Sequence, residues 1–424
     1  MKERVIWYAR LLLDTLLVPL VVLVPRNRRK IVFGAWSGKQ FGCNPKYLFD
    51  YVARRGGFKC VWVGNAALRG EVMKVPNAHF AAKGSLAALW HCLTAGFYAS
   101  NVQWRDDIID MPSCHRIVML YLTHGYLDKK IGDTQFRGNG PMDGAVGNCG
   151  PFRRMLKLAQ NRLYAFLYQQ KAWFSISSPQ YEDVRLASYP SRYSRERTLR
   201  CGIPRADFLI HNAGNADLKR RLKEKYAAVI GAPVDKKWYV FVPTWRHEKK
   251  YLYSFATSPR MKDFERLLES QGAVLIEKQH PKTLADMPIL SESSRSIFCV
   301  TPEQALKIDT QELLVACDRL ITDYSSVYYD FVLMNRPVIH YIYDYDHFMN
   351  LDMGFLFDIK DYGGGPFAEA EEELLKCLSL SDDELLRQRN PATKEKQLTY
   401  ETGHSCEGYY ALLEKLAAER GFFV

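Results

Sequence analysis

Thr322, Asp323, Tyr324, Ser325 and Ser326 follow one another between an apolar stretch, Leu320 and Ile321, and an aromatic-rich helical pattern from Val327 to Met334. Hydroxyls and a carboxylate at such a junction have two uses. Asp and Ser side chains accept the orphan N–H groups of a first helical turn. The free N–H groups and the positive end of that turn also gather an anion. The residue types predict either a plain N-cap or a phosphate site held near a carboxylate, and the run alone leaves both open.

Three other segments weight the second reading. Pro243, Thr244, Trp245 and Arg246 follow the apolar strand pattern Trp238–Val242. Lys278, Gln279, His280 and Pro281 follow Ala273–Ile276, and Thr123, His124 and Gly125 follow Ile117–Leu122. Each sets a His, an Arg or a hydroxyl at the carboxyl end of a strand, the edge at which open α/β sheets bind ligands. Imidazole moves protons near neutral pH. A guanidinium grips phosphate with a fork of N–H donors, and an ammonium does so as a point charge.

The elements that must position these groups alternate. Strand patterns at Lys30–Ala35, Cys60–Gly64, Phe97–Ser100, Ile117–Leu122 and Trp173–Ile176 are separated by helical patterns at Pro45–Ala53, Leu86–Thr94 and Gln180–Ala187. The second half repeats the scheme with strands at Trp238–Val242, Ala273–Glu277, Arg319–Thr322 and Pro337–Tyr341. Alternation of this kind predicts an α/β fold with parallel, doubly wound sheets. A chain of 424 residues exceeds one ordinary core. The charged stretch Asn212–Asp235 places the division near Arg205. No internal repeat stands out, and a G-x-G-x-x-G dinucleotide loop is absent, which weakens an NAD reading.

The net charge is +11 and the pI near 9.0, which points to an anionic partner. No compact nucleic-acid motif accompanies the charge, so nucleic acid ranks last. Ten scattered Cys with no C-x-x-C pair argue for reduced thiols and against structural zinc. Leu11–Pro25 is apolar apart from Asp14 and Thr15 and has basic flanks. It falls short of the roughly 20 apolar residues of a spanning helix. It reads as an interfacial anchor on anionic headgroups, against the alternative of a buried first helix. Arg153–Lys171 reads as a basic amphipathic helix, either membrane-facing or packed on the core. Asp344, Asp346 and His347 suggest a solvated loop more than a cation site. The remaining His residues, His340 among them, lack a comparable strand-end context.

With these pieces in order, the chain resembles the CDP-glycerol glycerophosphotransferase family, the teichoic acid and capsule polymer synthases. The resemblance rests on His124-Gly125 with Lys129 and Gly132; Gly202 to Asp207; Pro243 to Arg246; Lys278 to Pro281; Asp309 with Glu312; Ile321 to Ser326 with Asp330; Gly364 to Pro366; and Gly403 with Ser405. It implies a GT-B-like arrangement of two facing Rossmann-like domains with parallel sheets. An N-terminal membrane-associating segment covers 1–29. The acceptor-side domain covers 30–205, with the basic insert near 150–171. The donor-binding domain covers 206–400, and a C-terminal helix within 401–424 crosses back to the first domain.

The reaction it implies moves glycerol-phosphate or ribitol-phosphate from a CDP-activated donor to a hydroxyl of a lipid-linked glycan or growing polymer, releasing CMP. The alternative is a GT-B glycosyltransferase using a sugar nucleotide. On this reading His124 is the base and His280 a donor-side phosphate ligand, with the reverse assignment open, and Asp323 orients a catalytic group. Gly125, Lys129, Arg205, Asp207, Thr244, Arg246, Lys278, Thr322, Ser325 and Ser326 bind substrate or shape the cleft. No metal ligand set or cofactor is expected, although phosphoryl chemistry is compatible with a divalent cation. The expected partners are the CDP-polyol, the lipid-linked acceptor and an anionic membrane surface at the cytoplasmic face, with room for a homo-oligomer. Thr123, Tyr126, Ala206 and Gly364 depart from the family pattern and leave the polyol and the acceptor open.

Overall fold

The computed structural model describes residues 2–110, 116–126, 128–130, 155, 159, 162–164, 166–167, 171–189, 192–246, 248–280, 283, 294–352 and 354–419. Gly132, His247, Pro281 and most of Arg153–Lys171 lie outside the described residues. The chain divides into two compact units. One comprises residues 1–124, 131–205 and 404–424, the other 125–130 and 206–403.

The first unit is built on β1 (Asn27–Phe33), β2 (Lys59–Gly64), β3 (Ala78–Ala82), β4 (Ala95–Ser100) and β5 (Val118–Tyr121). They form one parallel sheet in the order β3-β2-β1-β4-β5. A separate two-stranded sheet pairs β6 (Phe174–Ser175) with β7 (Thr198–Leu199). Ile31, Val32 and Phe33 of the central strand are wholly buried, as expected where both faces of a parallel sheet are covered. The helix α2 (Cys43–Arg55) supplies Leu48, Phe49, Val52 and Ala53 to that core. Phe33, Phe41, Phe49 and Trp62 meet edge to face with ring centres 4.7–5.8 Å apart. A helix near the end of the chain, Ser405–Ala418, completes this core with Cys406, Tyr409, Leu412, Leu413 and Leu416.

At the other end of the chain, α1 (Lys2–Leu23) is one helix with Pro19 inside it. Its buried positions, Leu11, Asp14, Val18 and Val21, recur at helical spacing. Leu11 and Val18 pack on Leu167, with Leu163, Tyr164 and Trp104 beside them. The opposite face is apolar and exposed: Leu12, Leu13, Leu16, Leu20 and Leu23 are between 56% and 76% accessible. Among the described residues no helix is long and apolar enough to cross a membrane. A further helix, α3 (Leu86–Thr94), leaves Leu86 and Trp90 exposed as well.

The second unit holds six parallel strands in the order β10-β9-β8-β11-β12-β13. These are β8 (Lys237–Phe241), β9 (Ala273–Glu277), β10 (Ile297–Cys299), β11 (Arg319–Thr322), β12 (Val338–Tyr341) and β13 (Phe367–Ala368). The helix α4 (Val327–Leu333) follows β11 and is buried along its length. β3, β10 and β13 escape a reading of the sequence because they sit at sheet edges, where the apolar run weakens, and β10 and β13 are short as well.

Candidate active site

Chain order puts β8, β9 and β10 on one side of the second sheet and β11, β12 and β13 on the other, so the winding reverses between β8 and β11. A ligand crevice belongs at that switch point, outside the carboxyl ends of the strands. The loops leaving there are Val242–Arg246 after β8 and Asp323–Ser326 after β11. Lys278–His280 follows β9 at the same edge, and Ile342–Asp344 follows β12.

Asp323 ties these loops together. Its Oδ1 accepts from the backbone amides of Thr244 at 2.7 Å, Tyr324 at 2.5 Å and Ser325 at 3.2 Å. Its Oδ2 lies 2.8 Å from Arg246 Nη2, and neither side chain is exposed. Arg246 donates from Nε and Nη2 to Asp344, at 2.8 and 3.1 Å, and from Nη1 to the Thr244 carbonyl at 3.0 Å. The guanidinium sits 4.9–5.6 Å from the ring centres of Tyr324, Tyr343 and Phe348. Burial alone would lower the Arg246 pKa, but the Asp323 carboxylate, Tyr343 and Asp344 outweigh it and hold the value up. Both edges of the fork are thus spent on protein carboxylates. The phosphate-gripping role expected of Arg246 has no free face in this geometry, and the Asp323 carboxylate, expected to orient a catalytic group, is engaged by loop amides and by Arg246.

Thr322 is also turned inward, its hydroxyl donating to the Val242 carbonyl at 2.6 Å. The Thr244 hydroxyl accepts from Lys129 Nζ at 3.3 Å. Lys129 belongs to the short segment 125–130 that packs in this unit. Burial lowers its pKa, while Asp128 and Asp323 pull the other way. Gly125, in that segment, lies where an added Cβ would come within 2.9 Å of Ser326 Oγ, so a larger residue would push that hydroxyl aside.

Lys278 is different. It is buried, and its ammonium makes no ion pair or hydrogen bond among the described residues. Burial brings its pKa down to about 8. A cation in this condition is an anion site in waiting, because a phosphate would return the charge stabilisation that water supplied. His280 stands two residues on, half-buried, and Ser325 and Ser326 are half-buried as well.

His340 was without context in the sequence, yet it supports the Asp323 turn. The Gly364 amide donates to its Nε2 at 3.0 Å, so Nδ1 carries the proton and donates to the Asp323 carbonyl at 3.2 Å. Burial drops its pKa to about 4, which keeps the ring neutral and both bonds intact. Its only sequence signal was a histidine inside an apolar strand pattern, a position where burial forces both ring nitrogens to find partners.

The first unit has its own reversal, between β1 and β4. Asp107 serves there as Asp323 does in the second: it accepts from the amides of Ser37, Asn101 and Val102 at 2.8, 3.2 and 2.9 Å. Burial pushes its carboxyl up to about 6. His124, after β5, is exposed, with Nδ1 3.4 Å from the Asn101 carbonyl and its ring 5.5 Å from that of Trp36. The backbone around it is strained: Thr123, Trp36, Ser37 and Cys43 all have φ between 50° and 59°. Such conformations persist only where surrounding bonds impose them, and they gather at functional sites. Asn44 imposes one, donating from Nδ2 to the carbonyls of Leu122 and Thr123 at 2.8 and 3.2 Å. Its Oδ1 accepts from the Arg205 amide at 2.9 Å, and Arg205 Nη1 in turn donates to the His124 carbonyl at 2.7 Å. Arg205 therefore holds the histidine's backbone. Asp207 is buried in the first turn of the helix Pro204–Asn212.

Among the described residues no group of three or more His, Cys, Asp or Glu is placed to hold a metal. Asp344 is engaged by Arg246, and His347 stacks on Tyr251 at 3.7 Å.

Two α/β units, each with a parallel sheet and a carboxylate-braced switch point, define a doubly wound α/β protein with a ligand edge in each unit. The chain belongs to the CDP-Glycerol:Poly(glycerophosphate) glycerophosphotransferase family, whose model matches residues 16–415. It is 25% identical over 390 residues to a teichoic acid poly(glycerol phosphate) polymerase of Bacillus spizizenii, covering 89% of this chain and 91% of that one. It is 25% identical over 361 residues to a teichoic acid glycerol-phosphate transferase of Staphylococcus aureus, covering 84% and 85%. The solved wall teichoic acid polymerase TagF shares the fold, with a TM-score of 0.71 at 19% identity over 98% of this chain and 99% of that one. The UDP-GlcNAc 2-epimerase of Methanocaldococcus jannaschii aligns with a TM-score of 0.51 at 11% identity, over 91% and 99%.

Proposed function

We propose that the protein transfers a polyol-phosphate, glycerol-phosphate or ribitol-phosphate, from a CDP-activated donor to a hydroxyl of a lipid-linked glycan or growing polymer. The acceptor oxygen forms a bond to the phosphorus that bears the polyol. The bond from that phosphorus to the bridging oxygen breaks, and CMP leaves with the electron pair. His124 takes the hydroxyl proton. Lys278, His280, Ser325 and Ser326 hold the diphosphate, and the charge that develops on the leaving oxygen is met by the Lys278 ammonium. Asp323, Arg246, Thr322 and His340 position these loops, and Asn44 and Arg205 position His124.

The observation that carries this reading is the buried Lys278 at the sheet's carboxyl edge, with no ion pair among the described residues, in a chain of this family. The test is a donor screen on the purified protein with a lipid-linked acceptor, using CDP-glycerol, CDP-ribitol and sugar nucleotides, with product masses. CMP release and a mass gain of polyol-phosphate units support it; turnover with sugar nucleotides alone replaces it with glycosyl transfer.

We place the enzyme on the cytoplasmic face of the bacterial membrane. The leucine ridge of α1 offers apolar area to the acyl boundary, and the chain's excess of cations suits anionic headgroups. Flotation with anionic vesicles checks this. Leu16→Asp with Leu20→Asp should release the protein, and retention by the double variant rejects the ridge as the contact.

A further inference from the structure

A recess, partly open to solvent, lies in the first unit beside the carboxyl ends of β4 and β5. Its walls include Trp104, Arg105, Tyr121, Tyr164, Arg192 and Tyr193. Three features bear on what it holds. First, it is aromatic on several sides, with Tyr121 and Tyr193 only 6.0 Å apart and tilted by 31°. Aromatic faces offer apolar area to the C–H face of a sugar ring and phenol hydroxyls to its edge. Burial raises the pKa of both phenols, so each stays protonated and able to donate.

Second, its two guanidinium groups are unequal. Arg105 is committed: Nε lies 2.7 Å from Asp110 Oδ1, and Nη1 donates to the Tyr164 hydroxyl at 3.2 Å. Arg192 lies 5.5 Å from the Tyr189 ring centre and makes no ion pair among the described residues. Arg192 thus brings to the recess a positive charge with no ion-pair partner among the described residues, suited to one phosphate group. Third, Trp104 and Tyr164 wall the recess and also pack against the inner face of α1, whose outer face is the exposed leucine ridge. Ser100 at its floor precedes Asn101, whose carbonyl faces His124 Nδ1. The recess therefore stands between a helix suited to a lipid surface and the edge that carries the proposed base.

We propose that this recess is a subsite for a glycosyl phosphate, the sugar and adjoining phosphate of the lipid-linked acceptor. The sugar lies on the tyrosine and tryptophan faces, and its phosphate pairs with Arg192. The assignment of that ligand as the acceptor rests on the transferase reading above.

The test is isothermal titration calorimetry on the full chain with CMP at saturation, so that nucleotide-binding groups are occupied. The probes are glucose 1-phosphate and N-acetylglucosamine 1-phosphate, with glucose and inorganic phosphate as separate arms. At least one sugar phosphate should bind saturably, more tightly than either fragment. Arg192→Gln should weaken it about tenfold or more, the loss of a charge-assisted contact. Tyr164→Phe, which keeps the ring against α1, should retain binding. No saturable binding by the wild type overturns the subsite. So does binding unchanged in Arg192→Gln, and inorganic phosphate binding as tightly as the sugar phosphates removes the glycosyl part. Failure to release CMP from CDP-glycerol would remove the transferase reading alone, because the calorimetry reports on the recess in either case.

Discussion

Replacing Arg246 with Met separates a strut from a ligand contact. The guanidinium is wholly buried, pairs with Asp323 and Asp344, and touches three aromatic rings. Methionine fills similar volume but leaves two buried carboxylates facing each other. Removing one partner of a buried ion pair costs about 3–5 kcal/mol. In a unit of this size each kcal/mol moves the melting midpoint by roughly 2–4 °C, so a fall of about 6–20 °C is expected. Scanning calorimetry of the whole protein reads it. Arg246→Lys should also lose stability, because an ammonium cannot span both carboxylates in the geometry of a planar fork. The triple variant Arg246→Met, Asp323→Asn, Asp344→Asn should recover part of the loss, since the two carboxylates that lost their cation are no longer charged. A single Met variant that melts like wild type but has lost CDP-glycerol affinity would refute the strut and restore Arg246 to the ligand.

Three further outcomes are expected. Lys278 carries its proton below about pH 8, so the KM for the CDP-polyol should rise as pH climbs through that value, and Lys278→Met should flatten the profile. His340 has its pKa lowered from 6.5 to about 4, so the unfolded chain binds the extra proton first as pH falls. Its contribution is complete above about 6.5 and should be lost between there and about 4, by a few kcal/mol at most; urea melts of His340→Gln should lack that acid-side loss. Asn44→Ala removes bonds to Leu122, Thr123 and Arg205, at a cost of about 1–3 kcal/mol per buried group left unsatisfied. It should lower kcat far more than it changes donor KM, because it releases the strained Thr123 that aims His124.

The loops that matter were visible in the sequence because each follows a strand whose apolar run is unbroken. Trp238–Phe241 and Leu320–Ile321 are buried on both faces, so periodicity and burial agree. What each side chain does there was not visible. Asp323 meets the Thr244 amide across 79 positions of chain, and Arg246 meets Asp344 across 98. A polar residue at a strand end reads alike whether it faces a ligand or braces a neighbouring loop, and only the paired loop decides. Lys129 shows the same limit: nothing in residues 125–130 signals that they pack in the second unit while His124 belongs to the first. Asn44 sits at the start of α2, where an Asn reads as an ordinary helix-start residue.

The helix Ser405–Ala418 places Tyr409, Leu412, Leu413 and Leu416 in the core founded on β1 and β2, hundreds of residues upstream. A ribosome makes that helix long after β1 and β2, at about 5–20 residues per second. For tens of seconds at such rates, the nascent N-terminal sheet would present an open apolar flank. Products stalled or terminated before the helix would keep that flank bare and become clients of chaperones or proteases, while a chain that includes the helix closes it.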